Sequence, residues 1–416
     1  MSLLLSQEVR AHGEQAVEAL VEPFAGFEHV SQLNTEKVLA AFQAHRVSDT
    51  MFAGTLGYGY NDAGRDILES IYADVFGGAA ALVRIGFVNG THAITAALFG
   101  ALRAGDTLVS ATGAPYDTMQ GVIGHTRKEP GSLAEYGITY QEVAMLDNGK
   151  PDFVGIETAA KEKSVRAVLI QRSRGYATRP SLFVEEIGRI AELVHRVNPS
   201  AWVVVDNCYG EFVELLEPTQ VGADLVVGSL IKNPGGGLAP SGGYLVGKKE
   251  LVERAAMRYS APGIGAECGS SLGQNRLLYQ GLFLAPHTVC QALKTAAFSA
   301  QIMLQLGYEV DPLPAALRTD IIQMLHLRSS KGVRAFCRGI QFAAPVDSYV
   351  TPEPWNMPGY DCQVIMAAGA FVQGASIELS ADAPMREPYT VFLQGGLTFE
   401  SGKMGILLAV EQLGKL

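Results

Sequence analysis

Cysteine and histidine are scarce, and neither shows a metal-binding or disulfide pattern. The five cysteines are an odd number with no CxxC spacing, and the eight histidines form no HExxH motif. These absences argue against a disulfide framework and against the common zinc sites. We therefore expect no metal ion, and the cysteine usage favours a reducing compartment.

Long apolar runs and an excess of positive charge are also missing. The sequence has no run of about 18 apolar residues, as a transmembrane helix would need, and residues 1–5 are too short for the core of a signal peptide. Lys and Arg number 32 against 42 Asp and Glu, which gives a net charge of −10. Neither nucleic acid nor an anionic membrane is expected as a partner of such a surface. We expect a cytoplasmic protein.

Glycine, by contrast, is abundant. The chain has 46 glycines in 416 residues, without a G-x-y period, so collagen-like and low-complexity structures are excluded. Apolar residues make up 48% and charged residues 18% of the chain, which is enough to form a large core. This composition favours a globular enzyme.

The middle of the chain alternates between predicted strands and predicted helices. A helical pattern with one apolar face covers 183–194, between two β-rich runs. Strands that alternate with helices form a mostly parallel sheet with helices on both faces. We therefore predict an α/β fold. The predicted strands are 107–111, 138–144, 165–170, 201–205, 223–227 and 243–246.

Three regions follow from these patterns. Residues 1–50 show helical spacing of apolar residues, 51–290 contain the α/β pattern, and 291–416 contain weaker α+β material with several Pro and Gly turns. We predict an N-terminal helical segment, a large α/β domain and a smaller α+β C-terminal domain. A helical stretch at 289–306 is expected to connect the last two.

Two motifs at predicted strand ends suit a phosphorylated ring. Gly90-Thr91-His92 opens a predicted helix, whose free N–H groups and dipole favour a phosphate. Tyr116 follows the next strand and could stack on a planar ring. The alternative for the first motif is an ordinary capped helix in which His92 is merely packed. The alternative for Tyr116 is a half-buried tyrosine in a turn.

Two charged residues end the next predicted strands. Asp206 lies at the carboxyl end of an apolar run, where α/β sheets place ligand groups and where a carboxylate needs a cationic partner. Lys232 follows in a glycine-rich loop, where we expect desolvation to lower its pKa and make it a nucleophile. A salt bridge or helix cap for Asp206 and a surface position for Lys232 are the alternatives.

A late arginine completes the pattern. Arg386 lies in a Pro-bracketed loop and could bind a carboxylate, unless it is an ordinary surface residue. Phosphate turn, tyrosine, strand-end Asp, loop Lys and late Arg together predict a pyridoxal 5'-phosphate site, with Lys232 as the Schiff-base lysine and Asp206 on the pyridinium nitrogen. A nicotinamide dehydrogenase is disfavoured because no GxGxxG motif is present.

Longer motifs resemble the cystathionine and methionine lyase group of fold-type-I pyridoxal phosphate enzymes. The closer similarity is to the bacterial family described as methionine gamma-lyase-like or aluminium resistance protein, and it extends nearly end to end. The matching motifs are Phe52-Ala-Gly-Thr-Leu-Gly-Tyr-Gly-Tyr-Asn-Asp-Ala-Gly-Arg65, Gly90-Thr-His-Ala93, Tyr116-Asp-Thr118, Gln171-Arg-Ser-Arg-Gly175, Asp206-Asn207, Ser229-Leu-Ile-Lys232, Gln280-Gly-Leu-Phe-Leu-Ala-Pro-His287 and Pro358-Gly-Tyr360.

The resemblance implies a carbon–sulfur lyase that performs β- or γ-elimination on methionine, cystathionine or a cysteine-like amino acid. It implies a homodimer or homotetramer with shared sites, to which Tyr58 of a neighbouring copy would contribute. It also assigns Lys232 to the Schiff base and Arg386 to the substrate carboxylate, which Arg172 or Arg174 could contact instead of Arg386 or alongside it. For the elimination itself, we expect Lys232 to act as the general base and Tyr116 to protonate the leaving sulfur. The residues implied to bind the cofactor are Gly90, Thr91, His92, Tyr116, Asp206, Ser229, Lys232 and Tyr58.

Departures from the better-known lyases leave other functions open. The segment Tyr58-Gly-Tyr60 lacks the arginine of the Tyr-x-Arg pair found there, and Ile231 replaces a threonine before the lysine. A transaminase, aldolase or racemase type of reaction is one alternative. A pyridoxal phosphate-binding stress or metal-tolerance protein with little turnover is the other.

Overall fold

The computed structural model describes residues 5–357 and 360–414. Pro358 and Gly359 of the Pro358-Gly-Tyr360 motif therefore lie outside the described residues. No helix within these ranges combines the length and apolar character that crossing a membrane requires. No group of three or more His, Cys, Asp or Glu within them is arranged to hold a metal ion.

Two helices open the described chain, α1 (Gln7–Glu18) and α2 (Val21–Ala44). Ser6 caps α1 by accepting a hydrogen bond from the backbone N–H of Val9. The buried face of α2 includes Val38 and Ala41, which join the core of the large sheet. These elements confirm that the N-terminal region is helical.

A seven-stranded sheet forms the centre of the molecule, in the order β1-β7-β6-β5-β4-β2-β3. Only β7 runs against the other six, since it pairs antiparallel with both β1 and β6. The mostly parallel α/β fold is confirmed. The strands are β1 (Ala80–Arg84), β2 (Thr107–Ser110), β3 (Thr139–Glu142), β4 (Val165–Gln171), β5 (Trp202–Asp206), β6 (Leu225–Ser229) and β7 (Gly243–Gly247).

Helices cover both faces of this sheet, and each face has its own apolar core. This explains why the central strands are continuously apolar, as in the Val203–Val205 stretch, which is fully buried. The helices of this region are α3 (Ala63–Phe76), α4 (Gly90–Ala101), α5 (Asp117–Ile123), α6 (Phe153–Ala160), α7 (Val184–Val197) and α8 (Lys249–Tyr259).

The helix α9 (Asn275–Gln305) connects the two sheets. Its first half packs in the core of the large sheet through Leu278 and Leu282, and its second half packs in another core through Phe298 and Met303. The boundary predicted at residue 290 falls inside this helix. The division at residues 50 and 290 stays a prediction.

A five-stranded antiparallel sheet, in the order β10-β11-β12-β9-β8, forms the second layer of structure. Its core lies between the sheet, α1, α9 and two further helices, α10 (Ser330–Ala343) and α11 (Phe399–Leu413). The strands are β8 (Glu309–Asp311), β9 (Gln323–His326), β10 (Val364–Ala367), β11 (Ser380–Pro384) and β12 (Thr390–Gln394).

Candidate active site

The N-terminus of α4 faces the carboxyl end of β6. Asn89 caps the helix, and its Oδ1 accepts from the N–H of His92 at 2.8 Å. A side chain at Gly90 would begin 3.2 Å from Cβ of Ser229, so glycine keeps the space between them free. Oγ of Ser229 is buried and has no hydrogen-bond partner among the described residues. A helix N-terminus beside a buried free hydroxyl is suited to an anion.

Tyr116 lies at the start of α5 and is held from two sides. Its hydroxyl shares a hydrogen bond of 2.9 Å with Oγ1 of Thr91, and its backbone N–H donates to Oε1 of Gln171 at 2.8 Å. Burial, and then the nearby Asp206 carboxylate, raise the pKa of Tyr116 above its ordinary value. The phenol therefore keeps its proton at neutral pH and can act as a donor.

Asp206 ends β5 and is 6% exposed. One carboxylate oxygen accepts from the backbone N–H of Cys208 at 3.2 Å. Burial raises the pKa of Asp206, while the Lys232 ammonium partly offsets that shift. A cationic group in the site would stabilise this carboxylate, and its contact with a ring nitrogen stays a prediction.

Lys232 follows β6, and its ammonium lies 3.9 Å from the ring centroid of Tyr209. Desolvation lowers its pKa, but Cys208, Tyr209 and Asp206 outweigh this effect, so the pKa lies well above its ordinary value. Burial therefore acts on this pKa in the expected direction, but the neighbouring groups outweigh it and set the net direction.

The loop after Lys232 packs backbone against backbone on α9. A Cβ at Gly281 would begin 2.3 Å from the carbonyl oxygen of Gly235, and a Cβ at Gly236 would begin 2.3 Å from the carbonyl oxygen of Gly281. Gly236 also has a φ of 56°, which favours glycine. These glycines allow the close contact that holds the lysine loop.

The second sheet contributes a face that the sequence reasoning missed. Asp382 on β11 is buried and accepts hydrogen bonds from Ser380, from the hydroxyl of Tyr176 at 3.0 Å and from Gln394 at 2.7 Å. The Tyr176 ring lies 5.3 Å from that of Phe392. The only sequence signal for Asp382 is an acidic residue in a short apolar strand, and nothing local links it to Lys232.

Two of the predicted substrate arginines are bound within the protein. Arg172 is 0% exposed, and its guanidinium donates to Asn207 at 2.8 Å, to Glu214 at 2.9 Å and to Thr319 at 3.3 Å. Arg174 is buried and donates to Asp311 at 2.5 Å. The geometry thus gives both arginines structural partners, which sequence reasoning could not identify because the acids lie far away along the chain.

Arg386 remains accessible. It lies in the turn between β11 and β12 and is exposed. Its charge acts on Asp117 at the start of α5, where it opposes the rise in pKa that burial causes in that carboxyl. Arg386 therefore faces the segment that carries Tyr116 and keeps its predicted role on the substrate carboxylate as a proposal.

The structure does not bring His92 or Tyr58 to this group. The His92 ring packs edge-on against Phe87, with 5.2 Å between centroids, and its Nδ1 accepts from Val88. Tyr58 is 76% exposed and stacks on Tyr60. The contacts of His92 and Tyr58 with the cofactor stay predictions.

The remaining residues fit pyridoxal phosphate by their own chemistry. The α4 N-terminus, Thr91 and the unpartnered Ser229 hydroxyl would hold a phosphate, and the Asp206 carboxylate would hold a protonated ring nitrogen. Lys232 supplies the amine between them. These residues and the fold define the protein as one of the fold-type-I pyridoxal phosphate class.

Comparisons with known proteins narrow this class to one family. The family model of methionine gamma-lyase matches residues 9–414. YnbB of Bacillus subtilis (strain 168) is 52% identical over 387 residues, which cover 93% of this chain and 92% of YnbB. A structure of a carbon–sulfur lyase involved in aluminium resistance, from Clostridium novyi NT, has a TM-score of 0.94 and 49% identity over 98% of this chain and 96% of that one.

A more distant structure shares the fold alone. It is the pyridoxal 5'-phosphate-dependent protein YhfS of Escherichia coli, with a TM-score of 0.63 and 17% identity over 94% of this chain and 97% of that one. The chain belongs to the methionine gamma-lyase family, and the resemblance noted in its motifs is confirmed.

Proposed function

We propose that this protein is a pyridoxal phosphate-dependent carbon–sulfur lyase acting on a sulfur-containing amino acid. The observation that carries the proposal is the meeting of Lys232, Asp206 and Tyr116 at the carboxyl ends of the sheet, beside the free Ser229 hydroxyl at the start of α4. The description of the Clostridium novyi relative as a carbon–sulfur lyase agrees with it.

Each residue has one task in this proposal. The cofactor ring, when bound, stabilises negative charge at the substrate Cα. Asp206 keeps a positive charge on the ring nitrogen, and Lys232, in its uncharged amine form, takes the Cα proton as general base. Tyr116, which carries its proton at neutral pH, donates it to the leaving sulfur. Arg386 orients the substrate carboxylate.

We also propose a homodimer or homotetramer in which Tyr58 of one copy reaches the site of its neighbour. The exposed, stacked pair Tyr58 and Tyr60 supports this arrangement, because two large aromatic side chains lie bare on one segment. Light scattering on the purified protein tests it: a monomer would contradict the shared site.

The cofactor and the reaction are tested separately. Purified protein with added pyridoxal phosphate should show the visible absorption band of the bound cofactor, and Lys232→Ala should lose it. Lys331→Ala, on the surface helix α10, is the control and should keep the band. Absence of the band in the wild type would end the proposal.

The reaction is tested with methionine, cystathionine and cysteine, scoring keto acid and thiol as products. Keto acid and thiol from one of these substrates would support the lyase. Their absence with all three, in a protein that binds the cofactor, would reject carbon–sulfur elimination and favour another pyridoxal phosphate reaction or a tolerance role with little turnover.

A further inference from the structure

Asp382 is a buried carboxylate whose partners are all neutral. Ser380, Tyr176 and Gln394 donate to it. Within the described ranges no Lys, Arg or His nitrogen lies within 4.0 Å of its oxygens. Burying a charge in this way is costly unless a cation compensates it. Burial accordingly raises the pKa of Asp382. The position therefore calls for a positively charged partner in direct contact, which no residue in the described part of the chain provides.

The strand register fixes what surrounds this carboxylate. Phe392 on β12 pairs directly with Asp382 on β11 and with Met324 on β9, so the three side chains form one row on one face of the sheet. Tyr176 and Tyr209, which come from the ends of β4 and β5, pack on the same face. The carboxylate thus lies in an apolar and aromatic surrounding that faces the large sheet.

This surrounding lies next to the proposed catalytic lysine. The Lys232 ammonium is 3.9 Å from the Tyr209 ring centroid, and its charge also acts on Asp382. The Tyr360 ring lies 5.6 Å from that of Tyr176. The aromatic wall already holds one cation, and aromatic faces beside a carboxylate are the surroundings in which proteins bind ammonium and related cations.

We propose that Asp382, together with the rings of Tyr176, Tyr209 and Phe392, forms a cation-binding subsite for the side chain of the substrate. The subsite selects an amino acid whose side chain carries a positive charge, either a distal ammonium or a sulfonium. This proposal rests on the proposed function, because it assigns the substrate class of the same site. Side chains that end in a carboxylate are repelled by Asp382.

Binding of lysine and of norleucine to the cofactor-loaded protein tests the subsite directly. Both amino acids have an unbranched aliphatic side chain, neither carries a sulfur leaving group, and only lysine has a distal charge. Titration followed by the absorption of the bound cofactor should give about tenfold tighter binding of lysine, as expected for a hydrogen bond to a charged group. Equal or tighter binding of norleucine in the wild type would overturn the proposal.

Variants then locate the effect at Asp382. In Asp382→Asn the preference for lysine should fall to nearly none. Glu353→Gln is the control, since it removes an exposed carboxylate that pairs with Arg334 and Arg338 on the same half of the molecule. This control should keep the preference, and a lysine preference that survives in Asp382→Asn would contradict the assignment.

A third variant separates cation binding from a merely structural role. Tyr176→Phe keeps the ring and removes the hydroxyl that donates to Asp382. If Asp382 only positioned this hydroxyl, the Phe and Asn variants would lose the preference to the same extent, and the proposal would fail. A reduced but clear preference in Tyr176→Phe supports cation binding.

Turnover assays distinguish the two sources of charge. S-methylmethionine carries a sulfonium, S-(2-aminoethyl)cysteine carries a distal ammonium without a distal carboxylate, and methionine is the neutral reference. A higher kcat/KM than methionine for either cationic substrate, lost in Asp382→Asn, identifies the source. Tighter lysine binding without elimination from any substrate would support the subsite and reject the lyase. Elimination without a lysine preference would support the lyase and reject the subsite.

Discussion

Ser229 and Gly90 illustrate how single residues prepare the site. The Ser229 hydroxyl is buried without a partner, although a free buried hydroxyl destabilises a fold. Gly90 keeps the space beside it free, since a Cβ there would begin 3.2 Å from Cβ of Ser229. A ligand that accepts a hydrogen bond from this hydroxyl would offset the loss of stability. A phosphate at the start of α4 would be such a ligand.

Replacing Ser229 with alanine should therefore affect the cofactor and not the fold. We expect Ser229→Ala to bind pyridoxal phosphate about tenfold more weakly, the loss of one hydrogen bond to a charged group, while the unfolding temperature of the cofactor-free protein stays equal or rises. Ser299→Ala is the control, because Ser299 in α9 is buried but already donates to Ala296. Equal cofactor affinity in Ser229→Ala and wild type would contradict the phosphate role.

Glu211, behind the lysine loop, makes stability depend on pH. Burial raises its pKa from 4.5 to about 8, an effect that the hydrogen bond from Tyr244 partly opposes. The folded state thus holds the proton more tightly than the unfolded state. Its contribution to stability is full below pH 4.5 and is lost as the pH rises through about 8.

Glu211→Gln should remove this dependence, since glutamine resembles the protonated acid. Between those pH values the stability of the wild type should fall relative to the variant by up to about 1.4 kcal/mol per pH unit. Denaturant unfolding across this range measures the difference. Parallel stability curves of the two proteins would show that Glu211 is ionised throughout.

At this scale the sequence indicates which residues lie at strand ends, but it does not show which of their charges have partners. Lys232 and Asp206 were identifiable because a charged residue directly after an apolar strand lies where parallel sheets place ligands. Arg172 and Arg174 follow a strand in the same way, yet their partners include Glu214 and Asp311. Which charges have a partner depends on contacts between distant segments, and no local pattern records these.

At the scale of elements, α4 is a helix whose start is used chemically. Its cap, Asn89, fixes the N–H groups of the first turn, and Gly90 and Thr91 lie within that turn. A change in the cap should therefore act on both the helix and the ligand.

Asn89→Ala should lower the free energy of unfolding by about 1 kcal/mol and should also weaken pyridoxal phosphate binding. Ser329→Ala is the matched control, because Ser329 caps α10 through Gly332 on the other half of the molecule. It should lose similar stability and keep its cofactor affinity. Equal effects of both variants on cofactor affinity would show that the α4 terminus has no special role.

Elements with a strong pattern were predicted, and those that depend on neighbours were not. The apolar run that forms β5 and the amphipathic pattern of α7 were clear in the sequence. The strand β1 was missed, because its short run Ala80–Arg84 pairs only with β7, which arrives much later in the chain. The helix α9 begins well before the stretch predicted at 289–306. Pro286 lies inside the helix, although a proline in a sequence usually marks a helix boundary.

At the scale of the whole molecule, Arg172 ties the large sheet to the segment before β9. Its guanidinium contacts Asn207 after β5, Glu214 in the following loop and Thr319 from the other half. Three separate parts of the chain thus meet on one buried cation.

Arg172→Met should be strongly destabilising, by about 3–5 kcal/mol, because it leaves Glu217 and Glu214 without their buried cation. Arg334→Met, which loses only an exposed pair with Glu353, should change stability by less than about 1 kcal/mol. Thermal and denaturant unfolding measure both. If Arg172→Met kept its stability and bound substrate more weakly, Arg172 would have the substrate-binding role and not the structural one.

The contact between Gly235 and Gly281 has an evolutionary consequence. A Cβ at Gly281 would clash with the carbonyl oxygen of Gly235, and a Cβ at Gly235 would begin 1.8 Å from the carbonyl oxygen of Leu230, so neither glycine can be replaced while the lysine loop keeps its place. Amino-acid substitutions in the lysine loop and in the second turn of α9 therefore depend on each other. We expect both segments to accumulate substitutions slowly. The face of the second sheet that carries Asp382 is free of this constraint. Relatives that adopt new substrates should differ there first.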